Sequence, residues 1–176
     1  QKALQALQAL GPERGSKNID YYKMNIIGVT KGIETQSTTI ETAIKDLGAR
    51  ETESEIQIQL SGDVLFDFDK CDILSHAEAT LKKIRLIITA YNSPQVIIAG
   101  HTDSKGSKSY NQSLSEKRSE SVKKWLLENV EIGACILKTI GYGETRPVAP
   151  NCNSDGSDNP EGRKKNRRVE MVIKKK

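Results

Sequence analysis

No run of this chain approaches eighteen apolar residues, so no segment has the length and hydropathy of a bilayer-spanning helix. Aromatic residues make up 5% of the 176, too few to stack along a single-stranded nucleic acid. The formal net charge is only +4 and scattered, which argues against a nucleic-acid footprint; the one basic stretch, 163–176, is interrupted by an alternating strand pattern and ends in a solubilising Lys174-Lys175-Lys176 tail. Three cysteines, Cys71, Cys135 and Cys152, are too few and too irregularly spaced for a disulfide framework or a zinc site; they allow one disulfide with a free thiol, or three idle thiols. Histidines number two, and no serine or cysteine sits in a G-x-S-x-G setting, so the constellation of nucleophile, base and orienting group that a hydrolase needs has no candidate members. The reading is of a non-enzyme without cofactor or metal. The chain opens on Gln1 rather than Met, and is expected to be a mature or trimmed form whose signal peptide or lipid anchor has been removed.

With 36% hydrophobic and 28% charged residues, the chain is expected to fold as one ordinary domain with an extension. Residues 1–15 repeat Ala-Leu-Gln with Leu4, Leu7 and Leu10 on a short apolar stripe, then stop at Gly11-Pro12. Ile33, Ile40, Ile44 and Leu47 recur at steps of seven, four and three, the mark of one helix face; Ser37 or Thr39 would start it and Gly48 would end it. Residues 1–50 are therefore a helical extension or linker, and 51–176 the folded domain.

At Glu55 the period switches to two. Ile56-Gln-Ile-Gln-Leu60 is a half-buried strand, Ser61-Gly62-Asp63 a turn or bulge, and Val64-Leu65-Phe66 a resumption of extended chain. Between Ile73 and Tyr91, the positions Leu81, Ile84, Ile87 and Ile88 predict an amphipathic helix with a Ser75–Glu78 capping box, ended by Asn92-Ser93-Pro94. Val96–Ala99 is a short buried strand and Gly100–Asn111 a polar loop. Ser115 then caps a second helix with Val122, Trp125, Leu126 and Val130 on its apolar face. Ile136–Tyr142 is a third strand, 143–166 a long loop, and Val169–Ile173 the last strand. This order, β-α-β-α-β-loop-β, specifies an α+β two-layer sandwich with both helices on one face of a mixed four-stranded sheet.

Four polar clusters fall where such a fold brings chain ends together: Phe66-Asp67-Phe68-Asp69-Lys70; His101-Thr102-Asp103; Asn111 with Leu114, Ser115 and Arg118; and Asn166-Arg167-Arg168. Asp103 on a loop and Arg118 about one turn into a helix form an acid and a cation suited to a zwitterion. The helix N-terminus would add N–H groups and dipole, and the guanidinium a two-point grip on a carboxylate. Taken alone, the same two residues also read as an ion pair fastening loop to helix. His101 tempts toward catalysis but reads as a hydrogen-bonded structural residue, and Asp67 and Asp69 read as turn or cap acids as readily as ligand contacts.

The blocks GHTDSKG-x3-YNQSLSEKRSESV, GYGETRPVAPN and EGRKKNRRVEMVI, in that order, resemble the OmpA-like C-terminal domain, the peptidoglycan-associating module of outer-membrane proteins, Pal-type lipoproteins and flagellar-motor stators. The resemblance runs from Ile56 to Ile173 and leaves 1–50 uncovered. It implies recognition of the diaminopimelate residue of the stem peptide, with Arg118 on its carboxylate and Asp103 on its ammonium. By the same resemblance Asn111, Leu114, Asp69, Phe68, Thr102 and Arg167 line or support the pocket, and Ser119 stands where the family usually has alanine. The implied partner is peptidoglycan and the implied location the periplasm, associated with the outer membrane through a removed anchor or upstream segment, with residues 1–50 able to serve as a dimerising arm. An alternative within the same resemblance is a stator- or Tol-Pal-type assembly module working through protein–protein contacts. A stator would need an upstream transmembrane helix, and a lipoprotein a lipidated cysteine near its start; residues 1–50 contain no cysteine.

Overall fold

A computed structural model describes residues 39–91, 95–129 and 136–175. The expected helix at 1–15, the positions Ile33, Val130 and Cys135, and the stop at Asn92-Ser93-Pro94 lie outside the described residues. The chain divides into two compact units, Gln1–Glu41 and Thr42–Lys176; the second carries the fold described here.

Residues 39–46 are helical (α1) and bury Ala43 and Ile44. The helix ends as Gly48 predicts: at φ 58° this glycine donates to Lys45 O while Ala49 donates to Ile44 O, the paired bonds of a left-handed helix stop. Five strands form one sheet, β1 (Arg50–Glu51), β2 (Glu55–Ser61), β3 (Gln95–His101), β4 (Ile136–Gly141) and β5 (Arg168–Lys174), in the order β1-β2-β5-β3-β4. Only β3 and β4 are parallel; the other pairs are antiparallel. The fold is thus the expected α+β sandwich, with helices on one side of a mixed sheet, but with one more strand than expected. β1 has two residues, and no periodicity can be read from two.

The register stacks the core in rows. Ile56 lies opposite Ile173 and that opposite Val96; Ile58, Met171 and Ile98 form the next row. All six side chains are buried, each worth roughly 1.5–3 kcal/mol of burial. The third row, Leu60, Val169 and Gly100, ends in glycine because a helix comes too close for a side chain. A Cβ on Gly100 would sit 2.1 Å from the Ser115 carbonyl oxygen, and one on Gly141 beside it 2.7 Å from Ser115 Oγ.

Over this face lie α3 (Glu78–Ala90), burying the four positions its period marks, and α4 (Lys108–Asn129). Three expectations change here. Val64-Leu65-Phe66 does not resume a strand: Gly62–Leu65 form a single helical turn (α2), in which Phe66 N donates to Gly62 O, and Gly62 N itself donates to Arg167 O. A three-residue apolar run cannot tell a turn of helix from a strand. Ser75 makes no capping bond; a 3-10 turn, Ser75–Ala77, leads into α3 instead. The 143–166 segment is not all loop, since Pro160–Asn166 form a helix (α5) capped by Asn159, whose side chain accepts from Gly162 N.

The largest correction concerns α4, which begins at Lys108, seven residues before Ser115. Ser115 is a fully buried interior residue, not a cap. Its hydroxyl donates to Gln112 O and accepts from Gly143 N, which ties the helix to the end of β4. Asn111, Ser115, Arg118, Ser119, Val122 and Leu126 form one buried stripe. Its first half is polar, so hydrophobic periodicity reveals only the second half.

Candidate ligand-binding cleft

At the carboxyl end of β3 the chain leaves the sheet through Thr102 and Asp103, and α4 approaches over Gly100. The loop after α2 and the α5–β5 junction close the other sides. Between them lies a cleft of about 750 Å³. Phe68, Asp69, Thr102, Asp103, Asn111, Leu114, Arg118 and Arg167 all line it. So do Phe66 and Asp67, from a cluster the sequence already marked, and Asp63, Leu74, Lys105, Tyr110, Pro160 and Arg163, which sequence reading did not single out for the site.

Asp103 and Arg118 share the cleft, but not as an ion pair. Asp103 is buried; its Oδ1 accepts from Lys105 N at 3.0 Å, and its Oδ2 from Arg167 Nη1 at 2.8 Å and Arg163 Nη1 at 3.5 Å. The acid is fastened to α5 and the start of β5, not to α4. The expectation of a loop-to-helix ion pair is therefore not met. Nor is Arg118 near the amino end of its helix: it lies ten residues beyond Lys108, too deep for the helix N-terminus to share its ligand.

Arg118 is 5% exposed. Its Nε donates to Lys70 O at 2.9 Å and its guanidinium lies 5.2 Å from the centre of the Phe66 ring. Among the described residues its two Nη groups have no hydrogen-bond partner and it has no acid in ion-pair contact, unlike Lys105, Arg163 and Arg167, the other cations of the cleft. Burial pushes its pKa down, with the charges of Asp63 and Asp69 opposing and that of Arg167 adding. A guanidinium stays charged against such a push, so the site holds a desolvated cation with unused donors.

Arg167 works as a bracket. Its Nε and Nη2 fork onto Asp63 at 2.9 and 2.8 Å while Nη1 reaches Asp103. These hydrogen bonds hold the Asp63 carboxyl below its ordinary range and raise Arg167 above its own. Arg163 adds a second cation at Asp103 and is itself forked by Asp158, with Nε at 2.9 Å and Nη2 at 2.5 Å. Asn111 joins the loop to the helix, donating to Glu144 Oε2 at 2.6 Å and to Asp103 O at 3.3 Å. Among the described residues the buried Thr102 hydroxyl has no partner, although its N–H donates to Gly143 O.

The far wall is the Phe66–Lys70 segment. Asp67 accepts from Phe68 N and from Lys70 Nζ, both at 2.8 Å, shaping a tight turn that leaves Phe68 90% exposed. Asp69 has φ 60°, a left-handed backbone that aspartate tolerates better than most residues, and accepts a hydrogen bond from the Tyr110 hydroxyl.

The remaining polar residues do structural work. Asn166 accepts from Val148 N and Ala149 N and donates to Ala149 O and Asn151 Oδ1, stapling the loop before α5. Arg168 pairs with Glu170 and donates to Arg146 O. His101 is buried and stacked on Tyr142 at 5.3 Å, with Nε2 3.5 Å from Glu170 Oε2. Among the described residues its ring nitrogens make no good hydrogen bond, contrary to expectation, and burial with the nearby charge of Arg168 pushes its pKa down to about 4. Cys71 and Cys152 are free thiols.

A family model described as the OmpA family matches residues 65–167, more than half of the chain. Over 131 residues the chain is 44% identical to Photosystem I P700 chlorophyll a apoprotein A2 of Gloeobacter violaceus, covering 74% of this chain and 15% of that protein. It is 38% identical over 118 residues to Outer membrane porin F of Pseudomonas aeruginosa, covering 67% of this chain and 31% of that one. The chain thus spans less than a third of the length of these two relatives. In fold it is similar to the cell wall anchor of the T6SS from Pseudomonas aeruginosa, with a TM-score of 0.62 at 23% identity, covering 80% of this chain and 96% of that one.

Proposed function

This chain belongs to the OmpA family, and on that premise we propose that its cleft binds the stem peptide of peptidoglycan, without turnover, through the side-chain end of diaminopimelate. In this reading residues 51–176 are the wall-binding domain and 1–50 an extension. The location is the periplasmic side of the bacterial envelope, and the act anchors the parent protein to the wall.

The observation that carries the reading is Arg118, a buried guanidinium whose Nη donors have no partner among the described residues, on the wall of an open cleft. The Nη atoms themselves are not buried, and a ligand carboxylate would engage them with two parallel bonds. Asp103 supplies the opposite pole. Its carboxylate has acceptor capacity beyond the contacts it makes, since an ionised carboxylate offers about four lone-pair sites. The ammonium and carboxylate at the end of diaminopimelate are separated by one tetrahedral carbon and need such poles on one rigid frame. Phe68, Asp69, Thr102, Asn111, Leu114 and Arg167 line or support the ligand.

Each charge-assisted contact is worth about 1.5–3 kcal/mol, so a single site binds weakly and gains from the dense repetition of stem peptides in a wall. Sedimentation with purified sacculi tests the proposal. Wild type is expected in the pellet, and Asp103→Ala and Arg118→Ala, with folding checked by circular dichroism, in the supernatant. Wild type remaining in the supernatant, or both folded variants pelleting like wild type, would refute it.

A further inference from the structure

We propose that Tyr110 is a positioning residue that holds the Asp69 carboxylate off Arg118 and so keeps the arginine open for the ligand's carboxylate. The inference rests on the reading of Arg118 as the carboxylate-binding cation and adds a residue which that reading does not use.

Among the described residues, each acid around Arg118 is occupied by something else. Asp63 is forked by Arg167, and Asp67 is bonded to Lys70. Asp69 is next in sequence to Lys70, whose carbonyl oxygen anchors Arg118 Nε, and its charge acts on Arg118 without an ion pair forming. A mobile carboxylate at this place would swing onto a buried guanidinium with unused donors and fill the site from within. The Tyr110 hydroxyl prevents this by donating to Asp69 Oδ1. A neutral donor suits this role because it satisfies the acid without placing a second cation beside Arg118, which would repel the ligand's ammonium.

The device is built from two ends. Tyr110 stands in the first turn of α4, where its N–H donates to Ser107 Oγ at 3.2 Å, and Asp69 sits in its left-handed conformation on the opposite wall. The bond to Asp69 also raises the Tyr110 pKa, since a phenolate there would lie against a carboxylate.

The test is a double-mutant cycle read by titration calorimetry with two probes: the tripeptide L-Ala-D-Glu-meso-diaminopimelate, and the same peptide with its diaminopimelate side-chain carboxylate amidated. Tyr110→Phe is expected to weaken the acid probe about five- to tenfold, through release of Asp69 onto Arg118, and to leave the already weak amidated probe within about twofold. Asp69→Asn alone measures what Asp69 itself gives the ligand, and Tyr110→Phe with Asp69→Asn is expected to bind the acid probe within about twofold of that single variant, because the competing charge is gone. Tyr110 is 45% exposed, so loss of one hydroxyl spares the fold. The guanidinium nitrogen shifts of Arg118 in the unliganded Tyr110→Phe protein read the new ion pair independently of binding.

Unchanged affinity in Tyr110→Phe, no change in the Arg118 shifts, or a double variant weaker than Asp69→Asn by the full Tyr110→Phe loss would overturn the proposal. In the last case the phenol contacts the ligand directly. Full binding by Arg118→Ala would instead remove the carboxylate reading, and this inference with it.

Discussion

Asp103 and Arg118 face one cleft from two elements without touching: the acid is held by Arg167 at 2.8 Å, and the arginine by the Lys70 carbonyl at 2.9 Å. Each is fixed by a partner outside the pair, so neither is neutralised by the other. That separation is what the proposed zwitterion site requires. A direct Asp103–Arg118 pair would have to be broken before a zwitterion could bridge the two.

The bracket made by Arg167 is expected to be structural as well as functional. Arg167→Ala leaves Asp63 and the buried Asp103 without their closest cation, at a cost of about 1–3 kcal/mol in urea unfolding at pH 7. Arg167→Lys should recover little, since a lysine cannot span two carboxylates with three directed donors. The acid limb reports the same contact. The folded pKa of Asp63 lies below its ordinary value of 3.8, so its contribution is complete above that pH and is lost as pH falls below it. A lysine variant as stable as wild type would show that geometry does not matter here.

His101 gives the fold a second pH dependence, of a different origin. Its pKa is about 4 in the folded protein against 6.5 when unperturbed. Above pH 6.5 both states hold a neutral ring. As pH falls from 6.5 toward 4 the unfolded chain takes up a proton that the folded one declines, so stability drops by up to about 3 kcal/mol. Urea midpoints measured between about pH 7.5 and 4.5 should fall, and His101→Gln should flatten the part between about 6.5 and 5, above most carboxylate titrations. The same slope in both proteins would place the proton elsewhere.

Gly100 sets the distance between β3 and α4. Alanine there would put a Cβ 2.1 Å from a backbone oxygen of Ser115, which cannot swing aside as a side chain could. Gly100→Ala is expected to cost about 1–3 kcal/mol or more by overpacking. It should also weaken sacculus binding beyond the stability loss, because Asp103 follows Gly100 by three residues at the end of β3 and Arg118 follows Ser115 by three on α4. Binding at wild-type strength by a folded Gly100→Ala protein would uncouple the glycine from the site.

The strands were legible because burial on one face imposes a period of two: Ile56, Ile58 and Leu60, and Val169, Met171 and Ile173, point to the core as their alternation requires. Leu81, Ile84, Ile87 and Ile88 marked α3 equally well. The start of α4 was hidden because its buried stripe is polar from Asn111 to Ser119, and a pattern of apolar residues cannot reveal a face that packs on a site. Tyr110 and Arg163 were missed for a related reason. Nothing in their neighbours signals that one will meet Asp69, 41 residues away, and the other Asp103, 60 residues away. The only hint was position: Tyr110 beside Asn111, and Arg163 within the block already noted for its resemblance.

By itself, then, the sequence determined the layers, the order of β2 to β5 with α3 and α4, and many of the polar side chains delivered to one edge of the sheet, since these follow from periodicity and from the order of the segments. Only the tertiary structure decided which charges meet. Pairing depends on where side chains from distant segments end, and Coulomb attraction and hydrogen bonding select among several acids and arginines of similar sequence context. Asp63 and Asp103 went to Arg167, Asp69 to Tyr110, and Arg118 among the described residues to no acid at all.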